Sequence, residues 1–178
     1  MTDHELDIIK KSILPSKRLI KDAKPIILGE RLSHSINCYA YAMGIMYPGD
    51  YCDPNMYNPG FTVDCGLFWQ NQTVKKVCID LDVLGFRFKK FEINEEFDLE
   101  RGEYLVKLFI SDSDFHFIRY DSNSGMWFDK MGWKLEPRII KPDSDEILKS
   151  SKFGSNEPNE IACGHYKPIC YFKIKERR

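Results

Sequence analysis

The sequence has no long apolar run. None of its stretches approaches the roughly 18 consecutive apolar residues that a membrane-spanning helix needs, so no membrane partner is expected. It also has no excess of either charge: Lys and Arg total 26 against 27 Asp and Glu. A dedicated nucleic-acid binder carries a basic surplus, so no nucleic acid is expected as a partner. "KSILPSKRLIKDAK" is basic only locally and reads as a solvated helix face. The opening "MTDHELDIIKKSILPSKRLIKD" lacks the continuous apolar core of a secretory signal. The expected location is therefore cytoplasmic, or outside the cell by a route that reads no classical signal. In a reducing compartment the six cysteines (38, 52, 65, 78, 163 and 170) are free thiols rather than disulfides. "CGHYKPIC" (163 to 170) does not have the ligand spacing of a zinc site, and no second Cys pair stands out to complete one. No metal and no organic cofactor is expected.

What is present reads as helices first and strands later. Leu6, Ile9 and Ile13 recur at helical spacing, and Pro15 limits that helix. "KPIILGERLS" (24 to 33) reads as a short extended segment with a Gly turn. Asn37 is an N-cap residue, and the helix behind it runs from Cys38 to about Met46, ended by Pro48 and Gly49. Residues 47 to 66 form a long loop, of the kind that is often functional. Helical spacing returns from Leu67 to Leu84, with Gly85 as its C-terminal cap. Strands follow at 86–93, 103–111, 115–121, 125–133 and 166–176, where the apolar period falls to two. Residues 134 to 165 are polar, with a short helix near "SDEILKSS". With no repeat and no low-complexity tract, the expectation is one α+β domain over residues 1–178, its helices packed on an antiparallel sheet.

Within this frame "HSINCYAYAMG" (34 to 44) places a thiol at a helix start. Backbone N–H groups there lack helical partners, and the helix dipole favours negative charge. A thiol in that position loses its proton more readily and becomes a nucleophile. A nucleophile needs a base, and the base needs an orienting group. The sequence holds only four histidines, His4, His34, His116 and His165. His116 opens a strand, which is a rigid mount. If the turn "SNSG" (122 to 125) joins that strand to the next, residue i faces residue 247 − i. His116 then faces Met131, and Asp129 is its diagonal neighbour, within reach of a hydrogen bond. A turn one residue shorter moves Asp129 to the other face and leaves Asp121 as the fallback orienter.

A cysteine opening a helix, then a histidine on a strand and a polar residue on the next, resembles the papain-like cysteine hydrolases. The order Cys38, His116, Asp129 is similar to their compact NlpC-like and CHAP-like branch. "NCYAYAMG" and "DFHFIRYDSNSGMWFDKMG" carry the resemblance, which covers residues 33 to 133. It implies a papain-like fold and acyl transfer through a Cys-His-Asp triad. The Cys-Gly-Ser-Cys-Trp pattern of papain itself is absent. So is the upstream glutamine with which papain relatives complete the oxyanion hole. Here the first donor is the Cys38 N–H, and the candidates for a second are His34, Ser35 and Asn37.

The function expected is that of a cysteine peptidase or amidase acting on an amide or isopeptide bond of a peptide or protein. Peptidoglycan peptide is one substrate class that the resemblance allows. The alternative is a non-catalytic interaction module of α+β fold. In it Cys38, His116 and Asp129 are packing residues, and the 47–66 loop binds a partner.

Overall fold

Thr2 and Glu5 form a reciprocal capping box, so the first helix starts at once, as α1 (Asp3–Ser12). The structure is a computed structural model, and it describes residues 1–48, 57–63, 72–132, 135–140 and 166–175. After α1 come α2 (Ser16–Leu19), the small ribbon β1 (Ile20–Lys21) and β2 (Lys24–Pro25), and α3 (Gly29–Ser33). The segment expected to be extended from 24 to 33 is thus extended only at its start. "GERLS" turns into a helix because the Glu136 carboxylate accepts from Leu28 N–H (2.7 Å) and Gly29 N–H (3.1 Å), two of the donors a helix start leaves unpaired.

The helix behind Asn37 is α4 (Cys38–Met43). It stops short of Met46, because Gly44 takes a left-handed φ of 78° and caps it. A Cβ at Gly44 would lie 2.6 Å from the Leu14 carbonyl oxygen, which leaves room for no other residue there. All six residues of α4 are buried. Ala40 and Ala42 allow close approach, while Tyr39 and Met43 supply apolar area, about 1.5–3 kcal/mol for each large side chain fully buried.

Next is α5 (Thr73–Val83), capped through Gly85 at φ 75° as expected. The proposed start of that helix at Leu67 lies outside the described residues, as does the helix near "SDEILKSS". Five further strands fall close to the expected positions: β3 (Arg87–Glu92), β4 (Glu103–Ile110), β5 (Phe115–Asp121), β6 (Met126–Asp129) and β8 (Lys167–Lys175). A sixth, β7 (Arg138–Ile140), falls where only polar loop was expected. Three residues are too few to show a period.

The fold is α+β. Six strands make one antiparallel sheet in the order β3-β8-β4-β5-β6-β7. Alternation gives the sheet two different faces. Val106, Leu108, Phe117 and Phe172 join one core with α4, α5 and Ile9 of α1. Leu105, Phe109, Ile118, Trp127 and Tyr171 join a second core with Phe91 and Phe97. β4 is buried along its whole length, as a central strand covered on both faces must be.

Two buried charged groups tie the helices to this frame. Arg119 of β5 donates to the Ala42 carbonyl near the end of α4 (2.8 Å) and to Ser16 Oγ (2.5 Å), and lies over the Tyr104 ring. Asp80 of α5 accepts from Tyr39 Oη, from Gly60 N–H and from both the N–H and hydroxyl of Thr62. It thereby seats residues 57–63 against α4. Among the described residues, no helix is long and apolar enough to cross a membrane.

Candidate active site

Asn37 fixes the Cys38 end of the candidate site. Its Oδ1 accepts from Ala40 N–H (3.0 Å) and its Nδ2 donates to the Tyr57 carbonyl (2.9 Å). The cap starts the helix at Cys38 and leaves the Cys38 N–H outside the helix's own ladder.

The β5–β6 register supplies the other end. Ile118 pairs with Asp129 and Asp121 with Met126, so partners sum to 247 and residues 122–125 are the turn. Asp129 is the diagonal neighbour of His116, on the same face. The expected pairing of His116 with Met131 does not form, because β6 leaves the ladder after Asp129. Beyond Asp129 the β5–β6 ladder ends, and the first turn of α4 meets β5 at Phe115. Cys38 Sγ lies 4.0 Å from the Phe115 carbonyl oxygen. By alternation His116 and Asp129 belong to the sheet face away from α4, whereas the thiol comes from the helix side. The two meet where the β5–β6 ladder ends.

There the side chains form one line. The Cys38 thiol lies close enough to the His116 ring to favour its charged form. His116 Nε2 lies 3.2 Å from Asp129 Oδ2, which leaves Nδ1 for the thiol. Arg138 of β7 completes the line by donating to Asp129 from Nε (2.8 Å) and Nη2 (3.3 Å). Cys38 and His116 are 4% exposed and Asp129 is 0% exposed. Burial opposes charge on the imidazole, but bonds to Asp129 and Cys38 and their charges outweigh it, and the His116 pKa rises to about 9. Burial would likewise raise the Asp129 pKa, yet His116 and Arg138 together hold it below the usual carboxylate range.

The sign of the resulting pH dependence follows from linkage. His116 binds its proton more tightly in the folded chain than the ordinary value of 6.5 allows. Its contribution to stability is therefore complete below 6.5 and is lost as pH rises through about 9. The urea midpoint is expected to fall across this interval in the wild type and to flatten in His116→Gln. A wild-type midpoint that rises there would contradict a charged, doubly bonded imidazole.

The other candidates fall elsewhere. Asp121, the fallback orienter, sits at the far end of β5, about 16 Å along the strand from His116 at roughly 3.3 Å per residue. It accepts from Ser124 N–H and Asn123 Nδ2 and so braces the turn. Ser35 donates its hydroxyl proton to the Arg31 carbonyl (2.7 Å), which removes it as an oxyanion donor. The Asn37 amide is engaged at both ends as the cap, so its role is to start the helix. His34 ends α3 as its C-cap. Cys163 and His165 of "CGHYKPIC" lie outside the described residues.

Three residues join the site that motif reading passed over. Arg138 holds Asp129. The Tyr166 ring lies 6.1 Å from the His116 ring, and its hydroxyl donates to Asp114 (2.8 Å). Lys130 is fully buried and donates to the carbonyls of Ser33 (2.9 Å) and Gly132 (2.7 Å). Burial lowers the Lys130 pKa to about 8, against the pull of Cys38 and Glu136. One signal for Lys130 was available: in the 247 register it shares the helix-facing side with Phe128. Comparison of the chain with protein-family models, with curated proteins and with solved structures found no match.

Proposed function

We propose that the chain is a cysteine hydrolase of the papain-like superfamily, similar to its compact NlpC-like and CHAP-like branch. The observation that carries this reading is the line Cys38–His116–Asp129–Arg138, buried from Cys38 to Asp129 and half-exposed at Arg138, in which charges of opposite sign alternate once the thiol proton is on the imidazole. Cys38 Sγ attacks the carbonyl carbon of an amide or isopeptide bond in a peptide or protein. The carbonyl π electrons move to oxygen, and the Cys38 N–H donates to that oxyanion. His116 returns its proton to the leaving nitrogen as the C–N bond breaks. Water then attacks the thioester, with His116 as base, and regenerates the thiol. An amine in place of water gives transfer; a side-chain amide as substrate gives deamidation. Asp129, held by Arg138, orients the imidazole and stabilises its charge. This chemistry uses no metal or organic cofactor, and peptidoglycan peptide remains one substrate class it fits.

The 4% exposure of Cys38 favours the second reading, a non-catalytic interaction module in which the thiol is packing. Thiol reactivity decides between the two. Burial raises the Cys78 pKa and pushes Cys170 up to about 12, so both serve as unreactive controls. A panel of peptidyl acyloxymethyl ketones, followed by peptide mapping, is expected to label Cys38 first. His116→Ala is expected to slow that labelling by at least about tenfold, since the base activates the thiol. Labelling of Cys78 as fast as Cys38 would favour the module.

A further inference from the structure

We propose that Lys130 is a positioning residue of this site, clamping the chain that leads into Cys38 to the chain that leaves Asp129 and bringing an ammonium charge toward the thiol. The inference rests on the hydrolase reading and adds a residue to it. Ser33, whose carbonyl accepts from Lys130 Nζ, lies five residues before the nucleophile. Gly132, the other acceptor, lies just past the point where β6 leaves the ladder. One ammonium thus joins the stretch before α4 to the stretch after β6, on either side of the end of the β5–β6 ladder. It stands next in sequence to the orienter, so a shift of one end moves the other.

The charge has a second consequence. A buried ammonium is costly unless something offsets it. Among the described residues, the hydrogen bonds of Lys130 go to neutral carbonyls and not to a carboxylate. The charged or titratable groups that act on it are Cys38 from α4 and Glu136 from the stretch before β7. Glu136 is itself bonded to the N–H groups of Leu28 and Gly29. His116 and Asp129 form the neighbouring pair, with Arg138 bonded to Asp129. The thiolate is then the natural partner for the Lys130 charge. When the thiolate attacks, negative charge passes from sulfur to the carbonyl oxygen and remains in the same field, so the lysine stabilises the start of the step and its intermediate alike.

The test is the pH profile of Cys38 alkylation by iodoacetamide in the full chain, for the wild type, Lys130→Met, Lys130→Gln and Lys130→Arg. Gln is neutral but still donates to a carbonyl, so it reports on charge where Met fails to fold. Removing a cation close to a thiol raises the pH needed to ionise it by about one unit or more. The Cys38 profile is therefore expected to move to higher pH in the neutral variants. At low pH the rate falls by about tenfold per unit, because the thiolate is the reactive form. Cys78 serves as the reference and is expected to keep its rate. Lys130→Arg is expected to restore most of the profile. A folded Lys130→Gln with the wild-type profile would overturn the role of Lys130 and leave the hydrolase reading standing, provided His116→Ala still slows Cys38. A wild-type Cys38 no faster than Cys78 would overturn both.

Discussion

Cys38→Ala is expected to abolish turnover of any amide substrate that the wild-type chain cleaves. His116→Ala is expected to cost as much, and the double variant no more than either alone. The reason is that the two groups act as a unit. A thiol without its base stays protonated, and a base without its thiol has nothing to activate. In hydrolases of this logic, loss of the nucleophile or the base costs on the order of 10⁶ in kcat, and loss of the orienter roughly 10⁴. Asp129→Ala should therefore leave a measurable residue of activity, with the loss in kcat rather than KM. Arg138→Ala acts one step further out and should cost less, since a half-exposed guanidinium is screened by water. Steady-state rates for the four single variants and the double variant check the order. Multiplicative losses in the double variant would mean that Cys38 and His116 do not work on the same step.

The second large effect is on stability. Arg119→Ala is expected to destabilise the fold by about 3–5 kcal/mol, the range for large-to-small changes and broken buried polar networks. Arg119 is fully buried, its guanidinium stacks 3.5 Å above the Tyr104 ring centre, and two of its nitrogens serve the Ala42 carbonyl and Ser16. Truncation leaves a cavity and removes a charge-assisted bond from each of the two acceptors. A protein of this size loses about 2–4 °C of Tm per kcal/mol, so a drop of roughly 10 °C is anticipated by calorimetry. Arg119→Lys keeps the charge but not the planar fork, and should recover only part of it. A change below about 1 kcal/mol would show that α4 is held by apolar packing alone.

Both effects depend on features that differ in how openly the sequence declares them. The register of β5 against β6 was legible in part: the turn near residues 122–125 offered two pairings, and the one that makes Asp129 the diagonal neighbour of His116 is the one that forms. The Asn37 cap was legible too, since its chemistry is local. The end of α4 was not. Gly44 stops the helix through its fit against Leu14, thirty residues earlier in the chain, and local spacing points on to Met46. The same holds for Arg138 and Lys130. Arg138 sits in a segment too short to show a period, and both act through partners brought near only by the completed fold. Ser35 shows the reverse error: a polar side chain near the nucleophile looks available until its own helix turn, at Arg31, is seen to use it.

The arrival of thiol and imidazole from opposite sides of the sheet bears on the chain's time on the ribosome. Cys38 and the start of β5 are 77 residues apart in sequence. At roughly 5–20 residues per second, synthesis of that interval takes on the order of ten seconds. During it the cysteine is exposed without its base, and remains an ordinary, largely protonated thiol. On the hydrolase reading, reactivity is acquired only when β6 has paired with β5 and Asp129 stands beside His116. Folding itself is then the safeguard: a nascent or misfolded chain carries the nucleophile but cannot use it on its neighbours.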